Sequence, residues 1–169
     1  MLLSFVIFAV FTLTMLTAAI KDASTMTIPN WVSLVLLGAF LLCLPFTWQG
    51  LPNFGEHMAA GFGMFALGFA MFAFGWLGGG DAKLMAATSF WWTFGDLAMY
   101  IGYTTLAGGA LALFILMGRR YIPVRVMTAP WMHTMFKDQK KMPYGLALAF
   151  GALVTLPQSD IFRHAAGLG

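Results

Sequence analysis

The sequence predicts an all-α fold, a polytopic bundle of about six transmembrane helices, and three observations carry that expectation. Hydrophobic residues make up 60% of the 169 positions and charged residues 9%, against roughly 45–50% and 25% in soluble domains. The apolar residues fall in long continuous runs and do not alternate at period two, which sets aside an outer-membrane barrel. Glycines (19) and aromatics (16%) are abundant, as expected where helices pack closely in lipid and rings sit at its interfaces.

Gly, Pro and polar punctuation divides the runs into spans at roughly 2–20, 31–47, 57–77, 82–95, 97–117 and 143–158. No stretch is left for a separate soluble domain, so residues 1–169 read as one integral-membrane domain. The first run lacks the basic start and A-x-A cleavage signal of a signal peptide. At ~19 residues it is long enough to cross about 30 Å of hydrocarbon. The second opens on Ile28-Pro29-Asn30, where a proline in the first turn forfeits no amide hydrogen bond. The fourth is short, ~14 residues or about 21 Å as a helix. Either it thins the bilayer or its N-terminal end begins below the surface. The lone Cys43 lies inside an apolar run, and no Cys or His cluster calls for a metal.

Charge then orients the bundle. The segment between the fifth and sixth spans holds Arg119, Arg120, Arg125, Lys137, Lys140 and Lys141 against one acid, Asp138. The positive-inside rule makes it cytoplasmic. By alternation Lys21 and Lys83 fall on the same side and Arg163 on the other, so both termini are expected in the periplasm. Beyond orientation, the basic segment reads either as contact with anionic lipid or as a dock for a cytoplasmic partner such as assembly machinery.

The same topology sorts the six acids. Glu56, Asp96 and Asp160 fall at the outer face; Asp22, Asp81 and Asp138 fall at the inner one. Asp138 sits among lysines as a solvated charge. Asp22 follows the first span, and its plain reading is a hydrated interfacial acid. Asp81 follows Gly78-Gly79-Gly80 and opens the fourth span, where an acid favours the helix dipole. Capping does not require three glycines, which open unusual backbone conformations and let an extended chain approach.

Two carboxylates on one face, at the ends of different spans, meet if those helices pack together. Held close, they titrate as a unit. One then takes a proton from an attacking water while the other protonates the scissile carbonyl. Other chemistries lack parts: His57, His133 and His164 are scattered, and Ser89 reads as a hydroxyl bonding back to its own helix. The competing class is a small proton- or cation-coupled transporter using Asp22 and Asp81. Such acids more often sit mid-span in inverted-repeat halves, and no internal repeat is visible.

Three ordered motifs carry a resemblance: Asp22 followed by Ile28-Pro29-Asn30, then Gly78-x-Gly80-Asp81-x-Lys83-Leu84, then Pro143-Tyr144-Gly145. Over essentially the whole chain, the sequence resembles the type IV prepilin peptidase family, bacterial members of the GxGD intramembrane aspartic proteases. The resemblance implies that Asp22 and Asp81 are the catalytic pair. Pro29, Asn30, Gly78, Gly80, Lys83, Pro143, Tyr144 and Gly145 would shape the site or bind substrate. It implies cleavage of the short basic leader of prepilins and pseudopilins at the cytoplasmic face of the bacterial inner membrane. Neither metal, cofactor nor nucleic acid is implied.

The compact form is similar to the peptidases of tight-adherence (Flp) pilus systems. Longer relatives carry an N-terminal Cys-rich zinc extension and also N-methylate the new pilin terminus. Few residues precede the first run here and Cys43 stands alone, so methyl transfer is not expected. Thr25, Met26 and Thr27 stand where many relatives have a basic residue, so leader recognition is expected to differ in detail. Lys83 has two readings: a lysine snorkelling to the inner surface, or one turned toward Asp81 to bias which aspartate holds the proton.

Overall fold

Apolar runs become helices, and their punctuation becomes turns, in a computed structural model that describes residues 2–121 and 142–168. The chain forms α1 (Leu2–Thr25), α2 (Asn30–Cys43), α3 (Leu51–Ala73), α4 (Gly79–Ser89), α5 (Phe94–Tyr121), α6 (Tyr144–Thr155) and α7 (Asp160–Ala165). Single 3-10 turns, Leu44–Phe46 and Leu156–Gln158, extend α2 and α6. The described residues are all helix and turn, as the composition predicts. Arg125, His133, Lys137, Asp138, Lys140 and Lys141, on which the charge argument leans, lie outside the described residues.

Among the described residues three helices are long and apolar enough to cross a membrane, over Phe5–Thr25, Leu51–Ala73 and Phe94–Gly118, while Asn30–Phe46 and Tyr144–Gln158 are shorter apolar helices. Their outward faces carry exposed Leu13, Phe65, Leu113 and Phe114, which suits a lipid surroundings better than water. The expected fourth span is different in kind. α4 has 11 residues, about 16 Å at 1.5 Å per residue, and ends before a turn at Phe90–Thr93. Ala82 and the whole stretch Leu84–Ser89 are buried. From Leu84 onward it is an interior helix, apolar because protein packs around it.

The expected 82–95 run therefore merges a short helix with a connecting turn. Trp91 and Trp92, which lie in that run, are fully buried in the turn. Phe11 of α1 meets their rings edge-on at 5.0 and 5.6 Å, and Trp91 donates its indole N–H to the Leu36 carbonyl at 3.2 Å. This knot ties α1, α2 and the α4–α5 turn into one core.

Local chemistry sets the other boundaries. Pro45 ends the regular part of α2, because it cannot donate to the ladder. α3 starts six residues earlier than expected, after Gly50 at φ 99°, with Pro52 in its first turn. It stops at Gly75, φ 72°, where Trp76 N–H bonds to the Met71 carbonyl at 2.9 Å. This is the left-handed glycine stop of a Schellman cap, so residues 74–77 of the expected third span lie outside the helix. α1 runs five residues beyond its expected end and carries Asp22 in its last turn.

Packing brings the motif-bearing ends together. α5 lies on α6, α3 on α4, α1 on both α2 and α6, and α2 on α4. Two pairs approach at glycines: a Cβ at Gly68 of α3 would stand 3.3 Å from the Ala82 carbonyl, and one at Gly151 of α6 would stand 2.9 Å from the Thr104 amide nitrogen. Small residues at such crossings let helices pack backbone to backbone in lipid. The C-terminal ends of α1, α3 and α5 thus meet the N-terminal ends of α2, α4 and α6.

Candidate active site

Asp22 and Asp81 line one cavity of about 440 Å³ at that shared end. Asp22 points inward from the last turn of α1 and is 4% exposed. Its Oδ2 accepts the backbone N–H of Gly145 at 2.7 Å, across 123 residues of sequence. The donor belongs to the first turn of α6, whose N–H groups have no partner within the helix. Asp81 occupies the first turn of α4 and is half-buried. Its Oδ1 is shielded and has no hydrogen-bond partner. The two carboxylates face the same cavity.

The motif glycines make this geometry possible by what they lack. A Cβ at Gly78 would stand 2.8 Å from Asp81 Oδ2. A Cβ at Gly80 would stand 3.1 Å from Ile28 Cβ and 3.2 Å from its amide nitrogen, so Gly80 lets the α1–α2 linker lie on α4. At Gly145 it would meet Asp22 Oδ2 at 2.8 Å and Ile28 Cδ1 at 2.9 Å. Real Cβ atoms do not tolerate such contacts without movement of their neighbours. Each glycine thus keeps space for a carboxylate or for the linker behind it.

Pro29, expected inside the first turn of α2, is its N-cap residue, with Asn30 beginning the helix. Pro143 caps α6 in the same way, and Tyr144 lines the cavity. Lys83 turns away from the cavity. Its Nζ donates to Asn30 Oδ1 at 3.0 Å, tying α4 to the start of α2. The motif residues thus divide into cavity (Asp22, Gly78, Asp81, Tyr144), carboxylate support (Gly145) and helix junctions (Pro29, Asn30, Gly80, Lys83, Pro143).

A family model described as the type IV leader peptidase family matches residues 9–113, which include Asp22 and the Gly78–Asp81 motif. The chain belongs to that family. It is therefore a peptidase of the leader peptidase kind, and the protease expectation holds at that level. The match ends before Pro143-Tyr144-Gly145, so the residue that bonds Asp22 lies beyond it. No curated protein and no solved structure matches the chain.

Several residues of the leader peptidase cavity had no sequence signal that singled them out. Gly75, Trp76, Leu77 and Met142 join the motif residues on its walls, as does Met26, which the sequence marked only as a departure from a basic residue in relatives. Met26 closes α1 in the left-handed conformation, φ 52°, its N–H on the Asp22 carbonyl at 2.8 Å. That backbone is uncommon for a side chain larger than Asn. Trp76 is 75% exposed beside the cavity. The walls are thus apolar and aromatic around an acidic floor. Among the described residues no group of His, Cys, Asp or Glu is arranged to hold a metal.

Proposed function

We propose that this leader peptidase is an aspartic endopeptidase that removes the short basic leader of prepilin or pseudopilin substrates. One observation carries the proposal: the two motif carboxylates share one cavity, Asp22 held by the Gly145 N–H and Asp81 with a bare, shielded Oδ1.

The chemistry needs one carboxylate charged and one protonated. Asp22, fixed as an acceptor, takes a proton from water as the water oxygen bonds to the scissile carbonyl carbon. Asp81, whose Oδ1 no protein donor occupies, delivers its proton to the carbonyl oxygen. The resulting gem-diol collapses as Asp22 returns a proton to the amide nitrogen and the C–N bond breaks. Asp81 recovers its proton from a diol hydroxyl. No covalent intermediate and no cofactor take part. The apolar walls at Met26, Trp76 and Leu77 suit the start of the hydrophobic helix that follows a leader.

The reaction belongs at the cytoplasmic face of the bacterial inner membrane, where basic leaders reside, and both termini of the enzyme face the periplasm. Exposed Lys21, Lys83 and Arg120 at the cavity end support that orientation. The reading extends to a tight-adherence pilus system, whose assembly machinery would take the product. Methyl transfer is not part of the proposal.

The test is reconstitution in vesicles with a prepilin from the same genome, followed by mass measurement. The expected product is shorter by the leader and lacks an added methyl group. Cleavage that survives in Asp22→Asn or Asp81→Asn would falsify the two-aspartate mechanism.

A further inference from the structure

A second concavity lies outside the bundle, on the seam between α3 and α4. It measures about 290 Å³ and is lined by Phe65, Phe69 and Phe72 of α3 and by Gly79, Ala82 and Lys83 of α4. The phenylalanines are spaced four and three residues apart, so they form one face of α3. They are 54%, 62% and 51% exposed. The groove exists because α4 presents only a hydrogen and a methyl group opposite them. A Cβ at Gly79 would already stand 3.2 Å from Phe72 Cε2.

One cation marks the rim. Lys83 Nζ is exposed, and among the described residues its hydrogen-bond partner is the neutral Asn30 Oδ1. An ammonium has three donors, so two remain for an anion. The groove also sits at the end of the bundle where Lys21 and Arg120 are exposed.

We propose that this groove binds one anionic phospholipid, an acyl chain lying on Phe65, Phe69 and Phe72 and the headgroup phosphate on Lys83. α3 is long and apolar enough to span a membrane, so its exposed phenylalanine face meets hydrocarbon and not water. A chain laid in the groove fills space that small residues of α4 leave open. The single rim charge then selects among lipids: a zwitterionic headgroup brings its own cation to Lys83, an anionic one does not. Gly79 lies two residues ahead of Asp81, so the bound lipid also braces the first turn of α4. The site is independent of the peptide-cleavage reading.

The experiment is native mass spectrometry of the whole protein in detergent with phosphatidylglycerol or phosphatidylcholine of equal chain length. The expected result is a one-to-one phosphatidylglycerol adduct favoured about fivefold, the order of one basic contact to an anionic lipid. Lys83→Met abolishes that preference, Lys21→Met at the same end keeps it, and Phe69→Ala weakens both lipids alike. Circular dichroism of each variant checks that it is folded. Equal binding of the two lipids overturns the proposal, as does a preference unchanged in Lys83→Met. If Lys83→Met leaves lipid binding intact and instead raises KM for a protein substrate, the groove receives the substrate helix and the lipid assignment fails.

Discussion

The two ends of this bundle use the same residue type for opposite purposes. At the end away from the cavity every acid is met by donors. Asp160 Oδ2 accepts Gln49 and Asn53 amides at 2.7 and 2.8 Å, Asp96 Oδ2 accepts the Asp160 N–H at 3.0 Å, and Glu56 Oε2 accepts the Phe94 N–H at 3.1 Å. Those carboxylates join the starts of α3, α5 and α7 by supplying acceptors to helix N-termini. At the cavity end, Asp22 has one backbone donor and Asp81 Oδ1 has none. A buried polar atom without a partner costs on the order of 1–3 kcal/mol, and Asp81 Oδ1 carries that cost beside the cavity. The acids at the far end each bond the start of another helix, whereas Asp81 keeps one oxygen without a donor.

That contrast can be broken from either side. The largest expected effect is Asp22→Asn or Asp81→Asn: cleavage falls by about 10³-fold or more, while the melting temperature in detergent holds or rises, as Asn needs no charge buried. Next is Gly145→Ala, whose methyl group would displace Asp22. We expect kcat to fall by about 10²-fold, the order for a catalytic group moved by an ångström, with KM little changed in steady-state assays. At the other end, Asp96→Ala should cost about 1–3 kcal/mol of stability by leaving helix-start N–H groups unpaired. Its cleavage rate per folded molecule should match wild type; a rate lost in proportion to that of the Asp81 variant would erase the distinction between the ends. Smallest is Met26→Gly, which relieves left-handed backbone worth about 1 kcal/mol and removes a cavity wall. Thermal unfolding should shift slightly upward and KM should rise a few-fold.

How far the sequence reached depended on the range of the information needed. Both carboxylates were legible because local surroundings distinguish them, three glycines ahead of Asp81 and a short Pro-containing linker after Asp22. Ser89 behaves as its helical setting predicts, bonding the Met85 carbonyl at 2.7 Å. The nature of α4 was not legible, since an apolar helix inside a protein and one inside lipid have the same hydropathy. Its length, broken at Phe90–Thr93, separates them only in three dimensions. The burial of His57 was not legible either: it is 1% exposed, its Nδ1 paired with the Phe90 carbonyl at 3.0 Å. That placement follows from α3 packing on the α4–α5 turn, as does Gly61, whose missing Cβ makes room for the Phe90 ring. Lys83 had two readings from sequence, and a partner 53 residues away decides its direction.

The hydrogen bond from Gly145 to Asp22 also has a consequence for the order in which the protein is made. Its donor lies 123 residues after its acceptor, so Asp22 is always made before the group that fixes it. Until α6 docks against α1, Asp22 has no fixed orientation and the cavity lacks its Tyr144 wall. A chain that stops before α6 would carry both carboxylates and the whole glycine motif without the donor that orients Asp22.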